Sequence, residues 1–113
     1  MPRRPLSLPV LHIMLALADG AKHGYAIKLD VETRTDGAIR LGPGTLYEAI
    51  QRLEEGGLVT EAPGGEPGNG QEAQRRYYKL TDRGWKALTA EIRQLGLVVD
   101  RARSHARLRK GLA

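Results

Sequence analysis

The chain has 113 residues and no cysteine, with 41% hydrophobic, 27% charged and 4% aromatic residues, a length and balance that fit one ordinary globular domain and leave no room for a second domain closing over a large catalytic cleft. Without cysteine there is no thiolate nucleophile, no cysteine-based zinc or iron–sulfur site and no disulfide framework, which is compatible with a reducing cytosol. The net charge of +5 is local: Arg101, Arg103, Arg107, Arg109 and Lys110 lie in 101–113 without an acid, and the remaining residues balance at 13 basic and 13 acidic groups, so the high isoelectric point argues only weakly for an anionic partner.

The opening Met1-Pro2-Arg3-Arg4-Pro5 is basic, but the apolar run behind it is cut by Asp19 and Gly20 and ends without a cleavage-like site, so no signal peptide is expected. No stretch approaches the ~20 apolar residues of a bilayer-spanning helix. A soluble, cytoplasmic protein is the expectation. From Ser7 to Ala18, Leu8, Leu11, Leu15 and Ala18 recur at helical spacing, with Val10, Met14 and Leu17 as a second stripe beside them. A helix with two apolar flanks packs between two layers, or between its own domain and a partner subunit, and Gly20 is its natural stop.

In the next segment Ile27, Leu29 and Val31 alternate with Lys28, Asp30 and Glu32, which fits a strand better than a helix, and composition does not break the tie. Gly42-Pro43-Gly44-Thr45 followed by Leu46, Ile50 and Leu53 predicts a helix over 43–56 with its proline in the first turn, where no N–H is missed, and Gly56-Gly57 as its end. Its opposite face carries Thr45, Glu48, Gln51, Arg52 and Glu55, with Tyr47 at the edge. Leu58-Val59-Thr60-Glu61 and Tyr77-Tyr78-Lys79-Leu80 are β-favouring runs around a stretch rich in glycine and proline, a hairpin with a long tip.

Thr81 suits the N-cap of a last helix in which Trp85, Leu88, Ile92, Leu95, Val99, Ala102 and Ala106 follow a three–four alternation. That is a heptad seam, weakened by roughly 1 kcal/mol at Gly96. About 28 residues at ~1.5 Å each exceed the ~13 Å radius of gyration of a globule this size, so the helix must protrude. A protruding apolar seam needs a partner, and a two-fold homodimer closes it most simply. The order is helix, ambiguous segment, helix, hairpin, long helix. If the ambiguous segment is helical, the fold is mainly α with a small β-hairpin: a winged helix-turn-helix over 1–81, then a long C-terminal dimerisation helix with a basic tail over 82–113.

Catalysis is poorly supported. His12, His23 and His105 make no i, i+4 pair and no HExxH arrangement, and the glycine-rich Gly65-Glu66-Pro67-Gly68-Asn69-Gly70 runs into a strand, not a helix N-terminus, so it is no P-loop. Neither an enzyme, a metal nor a cofactor is expected. Binding is better supported, because a helix fits the DNA major groove. On 43–56, Gln51 can pair bidentately with adenine, Arg52 can reach guanine or phosphate, and Thr45 and Tyr47 can meet phosphate or a thymine methyl. The competing assignment has Tyr47 packed on a neighbouring helix and Arg52 paired with Glu48 or Glu55. Arg75 and Arg76, at the hairpin's base, suit contacts to the DNA backbone.

Three segments together resemble the PadR-like family of bacterial transcriptional regulators: His23-Gly24-Tyr25-Ala26-Ile27; Leu41-Gly42-Pro43-Gly44-Thr45-Leu46-Tyr47 running on to Arg52-Leu53-Glu54-Glu55-Gly56-Gly57-Leu58-Val59; and Arg75-Arg76-Tyr77-Tyr78-Lys79-Leu80-Thr81 with Gly84. The resemblance covers nearly the whole chain. It implies that 24–35 is helical and that 43–56 is the recognition helix. It implies the short C-terminal subtype, in which one long last helix packs with the first helix of the other subunit. It further implies a dimeric repressor of a nearby promoter, often of efflux or stress genes, released by a small hydrophobic effector.

The expected DNA contacts are then Lys22, His23, Tyr25, Thr45, Tyr47, Glu48, Gln51, Arg52, Arg75 and Arg76, and the expected dimer contacts Leu8, Leu11, Leu15, Leu88, Ile92, Leu95, Val99 and Ala102. The expected partners are double-stranded DNA and a second copy of the chain, with no membrane. Two features depart from the family. The tip from Ala62 to Gln74 carries Glu66 and Glu72 and no basic residue, which shifts the expected backbone contact to Arg75 and Arg76. Leu95 stands where drug-binding members place an aromatic midway along the last helix, and Trp85 lies instead at that helix's start, where packing under the wing is expected. Two other assignments use the same residues: a winged-helix adaptor that binds a different helical partner, suggested by the neutral body, and attachment of the tail to an anionic membrane, which has only Leu108 and Leu112 as large apolar support.

Overall fold

The computed structural model describes residues 5–63 and 76–113. In chain order it contains α1 (Leu8–Ala18), β1 (Lys22–His23), α2 (Gly24–Arg34), α3 (Pro43–Glu55), β2 (Val59–Ala62), β3 (Tyr77–Leu80), α4 (Asp82–Arg103) and α5 (Ala106–Leu112). The hairpin tip over 64–75, with Arg75, lies outside the described residues.

Each helix is set by a local device. Ser7 caps α1, its hydroxyl accepting from the Val10 N–H at 3.4 Å. His23 caps α2 with its imidazole, Nδ1 accepting from the Ala26 N–H at 3.2 Å, and that cap decides the ambiguous segment in favour of helix. The apparent alternation conceals a four-residue spacing: Ile27 and Val31 are fully buried on one face, while Leu29 between them is 43% exposed. Thr35 closes α2, its hydroxyl donating to the Val31 carbonyl at 2.8 Å and accepting from the Ile39 N–H at 3.0 Å.

α3 begins at Pro43 and stops at a Schellman turn, in which the Leu58 N–H reaches the Leu53 carbonyl at 2.9 Å and Gly57 takes a left-handed φ of +75°. Thr81 then joins two elements. Its hydroxyl accepts from the Gly84 N–H at 3.0 Å, capping α4, and donates to the Gly57 carbonyl at 2.6 Å, anchoring α4 to the end of α3.

The sheet has three antiparallel strands in the order β1-β3-β2, with Lys22 opposite Tyr78 and Val59 opposite Leu80. The hairpin expected from sequence is β2–β3, and β1 adds a third strand to it, only two residues long and too short to carry a pattern of its own. α1 lies at the centre, packed against α2, β3 and α4. Its innermost side chains, Ile13, Met14 and Leu17, join Ile27, Val31, Leu46 and Ile50 in the core, and Ile13 belongs to neither stripe identified in the sequence.

The last helix also differs from expectation. α4 ends at Arg103, where the Ser104 hydroxyl donates to the Arg101 carbonyl at 2.6 Å and ends the regular helix, and the chain resumes as the seven-residue α5. The seam therefore breaks before Ala106, leaving 22 helical residues in α4. α4 still projects, giving extents of 56 × 34 × 23 Å and a radius of gyration of 16.3 Å. Leu11 and Leu88, both expected at a dimer face, are buried in the chain's own core, whereas Ile92, Leu95 and Val99 stand 43%, 37% and 43% exposed. Leu8 is exposed, and Leu15 and Ala102 are half-buried. Trp85 is 45% exposed.

Candidate nucleic-acid interface

α3 divides its side chains cleanly. Leu46, Ile50 and Leu53 are buried and fix the helix to the core, so Thr45, Tyr47, Glu48, Gln51, Arg52 and Glu55 face outward together. Arg52 Nη2 meets Glu48 Oε1 at 3.2 Å, and Gln51 Nε2 stands 3.5 Å from Glu55 Oε1. Both partners of the Arg52–Glu48 pair are well exposed, and such pairs contribute at most ~1 kcal/mol. They hold the two side chains in an extended row that an incoming ligand can rearrange at little cost. A helix presenting amide, guanidinium and hydroxyl groups in one row has the shape and the donors to read base edges in a major groove.

Tyr47 packs on the neighbouring helix, as the competing assignment has it. Its ring lies across the first residue of α2, where a Cβ built on Gly24 would stand 2.5 Å from the Tyr47 hydroxyl oxygen, yet about half of the side chain stays open. Beside it Tyr25 is exposed, with Lys28 Nζ 5.9 Å from its ring centroid.

Two other expected contacts are engaged in the fold. Lys22 Nζ donates to the Ala16 carbonyl at 2.5 Å, a cation on the C-terminal turn of α1. His23 caps α2 and meets Tyr77 edge-on at 5.3 Å between centroids. At the base of the hairpin, Arg76 Nε meets Glu61 Oε1 at 3.4 Å, with both side chains exposed.

Several structural residues of this region carry little sequence signal. Arg34 joins α1 to α2, donating to Asp30 at 2.7 Å and also to Asp19, and the hydrogen bond it donates to Asp30 raises its pKa. Gly84 allows α4 to approach the turn between α3 and β2, since a Cβ there would stand 2.0 Å from the Leu58 carbonyl oxygen. Tyr78 is buried beneath the sheet, and burial, with the charge of Glu54 adding to it, pushes its phenol above the usual range. Among the described residues no group of histidines and carboxylates is placed to hold a metal ion, and no helix is long and apolar enough to cross a membrane.

Residues 10–90 match the transcriptional regulator PadR-like family. The chain is 34% identical over 85 residues to the transcriptional regulator Rv3488 of Mycobacterium tuberculosis, covering 75% of this chain and 73% of that protein. It is 39% identical over 89 residues to an uncharacterized 37.1 kDa protein in transposon TN4556 of Streptomyces fradiae, a match that covers 79% of this chain but only 23% of that longer protein. A crystal structure of a PadR family transcription regulator from Clostridium difficile R20291 superposes with a TM-score of 0.71 at 23% identity, covering 87% of this chain and 97% of that one.

Proposed function

This chain belongs to the PadR-like family of transcriptional regulators, and from that premise we propose that it is a homodimeric repressor that binds a pseudo-palindromic operator in double-stranded DNA and is released by a small hydrophobic effector. The observation that carries this reading is the outward row of α3, with Thr45, Gln51 and Arg52 free to turn toward a groove while Leu46, Ile50 and Leu53 lock the helix behind them. Tyr47 and Glu48 belong to the same row, Tyr25 flanks it, and Arg76 at the base of the hairpin, ion-paired with Glu61 on the surface, is the candidate for a backbone contact.

The dimer half of the reading is supported by the projecting end of α4. Ile92, Leu95 and Val99 expose an apolar strip on a helix that extends beyond the body, and Leu8 on α1 offers a second apolar contact. In this reading 1–81 form the DNA-binding unit and 82–113 the dimerisation helix with its basic tail. A two-fold dimer presents two copies of α3, which fits half-sites about one helical turn, ~10 base pairs, apart.

The test is fluorescence anisotropy on the DNA upstream of the chain's own coding sequence, against scrambled DNA, at two salt concentrations. Preference for the upstream DNA that survives added salt, weakened 10-fold or more by Gln51→Ala with Arg52→Ala, is the expected result. Equal, salt-sensitive binding to both DNAs would instead reduce the interaction to phosphate contacts and favour the adaptor.

A further inference from the structure

A cleft of about 780 Å³ lies on the opposite side of α4 from the apolar strip, lined by Leu6, Gly56, Leu58, Arg83, Lys86, Ala87 and Ala90. We infer that it binds a small apolar organic anion, a compact hydrocarbon body carrying one carboxylate or sulfonate. The floor is apolar: Leu6, Leu58, Ala87 and Ala90 supply hydrocarbon, and Gly56 leaves room above the end of α3. The rim holds two cations, Arg83 and Lys86, and none of the described lining residues is an acid. Both are exposed, and no ion pair joins either one to another described residue. Arg83 lies along the turn after α3, its Cδ and Nη1 3.8 Å from where a Cβ on Gly57 would stand. The nearby carboxylate of Glu91 does not line the cleft; it is 6% exposed and accepts from the Leu6 N–H at 3.2 Å.

Size and position select the occupant. The volume falls within the ~300–1,000 Å³ of small-molecule sites. At 3.6 residues per turn, Arg83, Lys86, Ala87 and Ala90 point to the side of α4 roughly opposite Ile92, Leu95 and Val99. A partner helix seated on the apolar strip therefore leaves the cleft open. An apolar floor retains the hydrocarbon while the two cations, ion-paired to no other described residue, select for negative charge. The cleft touches the end of α3, the start of β2 and the first turns of α4, so its occupant bears on the joint between the DNA-reading helix and the projecting helix. The inference deepens the proposed regulator, on which it rests for its consequence, by giving the released-by-ligand step a location and a ligand class.

Binding is read without DNA, so that failure of this site and failure of the DNA-binding reading are separable. The full chain is titrated with anilinonaphthalene sulfonate, an apolar body with one sulfonate, and in parallel with the uncharged phenylnaphthylamine. The expected result is one saturable sulfonate site per chain, weakened at least 10-fold by Arg83→Glu with Lys86→Glu, while the uncharged probe is affected less than 3-fold. Ala90→Trp, which fills the floor, is expected to remove both. Parent-like sulfonate affinity in the charge-reversed protein would overturn the inference, as would one site per dimer abolished by Leu95→Asp, which would place the probe at the α4 strip. The charge-reversed residues are exposed and leave the core untouched, so that variant reports on the site even if Ala90→Trp perturbs packing.

Discussion

Gly24 and Tyr47 are fitted to one another: the phenol ring of Tyr47, on α3, occupies the space that a side chain on Gly24, the first residue of α2, would fill, with its hydroxyl oxygen 2.5 Å from the missing Cβ. The contact sets how closely the first turns of the two helices approach, and therefore where the outward row of α3 points.

Gly24→Ala consequently sets two effects against each other. Alanine is favoured over glycine in a helix by up to ~1 kcal/mol, but the methyl group must displace Tyr47. The displaced atoms are the far end of a half-exposed ring that can swing outward. Thermal stability is therefore expected to change by less than ~1 kcal/mol, while operator affinity falls about 10-fold, equivalent to ~1.4 kcal/mol. A double-mutant cycle locates the effect: in a Tyr47→Ala background, Gly24→Ala should leave affinity unchanged. An equal loss in both backgrounds would mean that the contact does not set the approach of the helices.

Gly84→Ala is expected to behave in the opposite way. Its Cβ would meet the Leu58 carbonyl oxygen at 2.0 Å, and that atom is backbone, fixed between the end of α3 and β2 and itself accepting from the Thr81 N–H at 3.1 Å. No rotamer relieves the clash, so α4 must shift off the sheet. Overpacking of this kind destabilises by about 3 kcal/mol, far more than the gain in helix propensity. The check is the urea midpoint, which should fall sharply for Gly84→Ala; a variant as stable as the parent would show that α4 can slide.

What sequence patterns revealed and concealed has a consistent physical basis. α3 and β3 were legible because their cues are local: a proline in a first turn, a three–four row of Leu46, Ile50 and Leu53, and the run Tyr77 to Leu80. α2 was not decided by its pattern, since exposed Leu29 completes a false alternation with buried Ile27 and Val31 and the cap that resolves it is a histidine, an uncommon capping residue. The break after Arg103 was hidden because Ala106 keeps the seam's spacing while the Ser104 hydroxyl turns back to the Arg101 carbonyl. At the candidate interface, the outward row on α3 could be read from periodicity alone. The engagement of Lys22 with the end of α1 could not, because it depends on β1 being held beside β3.

Tyr78 gives the fold an alkaline limit. Its phenol has an ordinary pKa of 10.0, and burial raises that value in the folded chain. Between the unfolded and the raised folded pKa, the folded state holds the proton while the unfolded chain has released it. Stability is therefore fully present below about pH 10 and is lost as pH rises toward the folded value. Tyr78→Phe removes this titration, so its melting temperature should decline less steeply above pH 10 than the parent's. Parallel decline in the two proteins would assign the alkaline loss to other groups.

The exposed strip on α4 leads to an expectation about assembly. Ile92, Leu95 and Val99 lie on the part of α4 that projects from the body, whereas Leu88, one turn earlier, is already committed to the core. Leu95→Asp therefore places a charge at the centre of the strip without touching the packing of the chain itself. In a dimer that charge is desolvated without a counter-ion, a penalty of at least ~3 kcal/mol, which raises the dimer dissociation constant 100-fold or more. Analytical ultracentrifugation at micromolar concentration should find a folded monomer, with helical content preserved by circular dichroism. Operator affinity should fall with it, because a monomer presents one α3 where a dimer presents two. Leu88→Ala is the contrasting substitution: it removes core packing, lowers stability by about 2–5 kcal/mol, and should leave the association of the folded fraction unchanged. A Leu95→Asp protein that remains dimeric would move the interface off this strip, to Leu97 and Val98 on another side of α4 or to Leu8 on α1, all of them exposed.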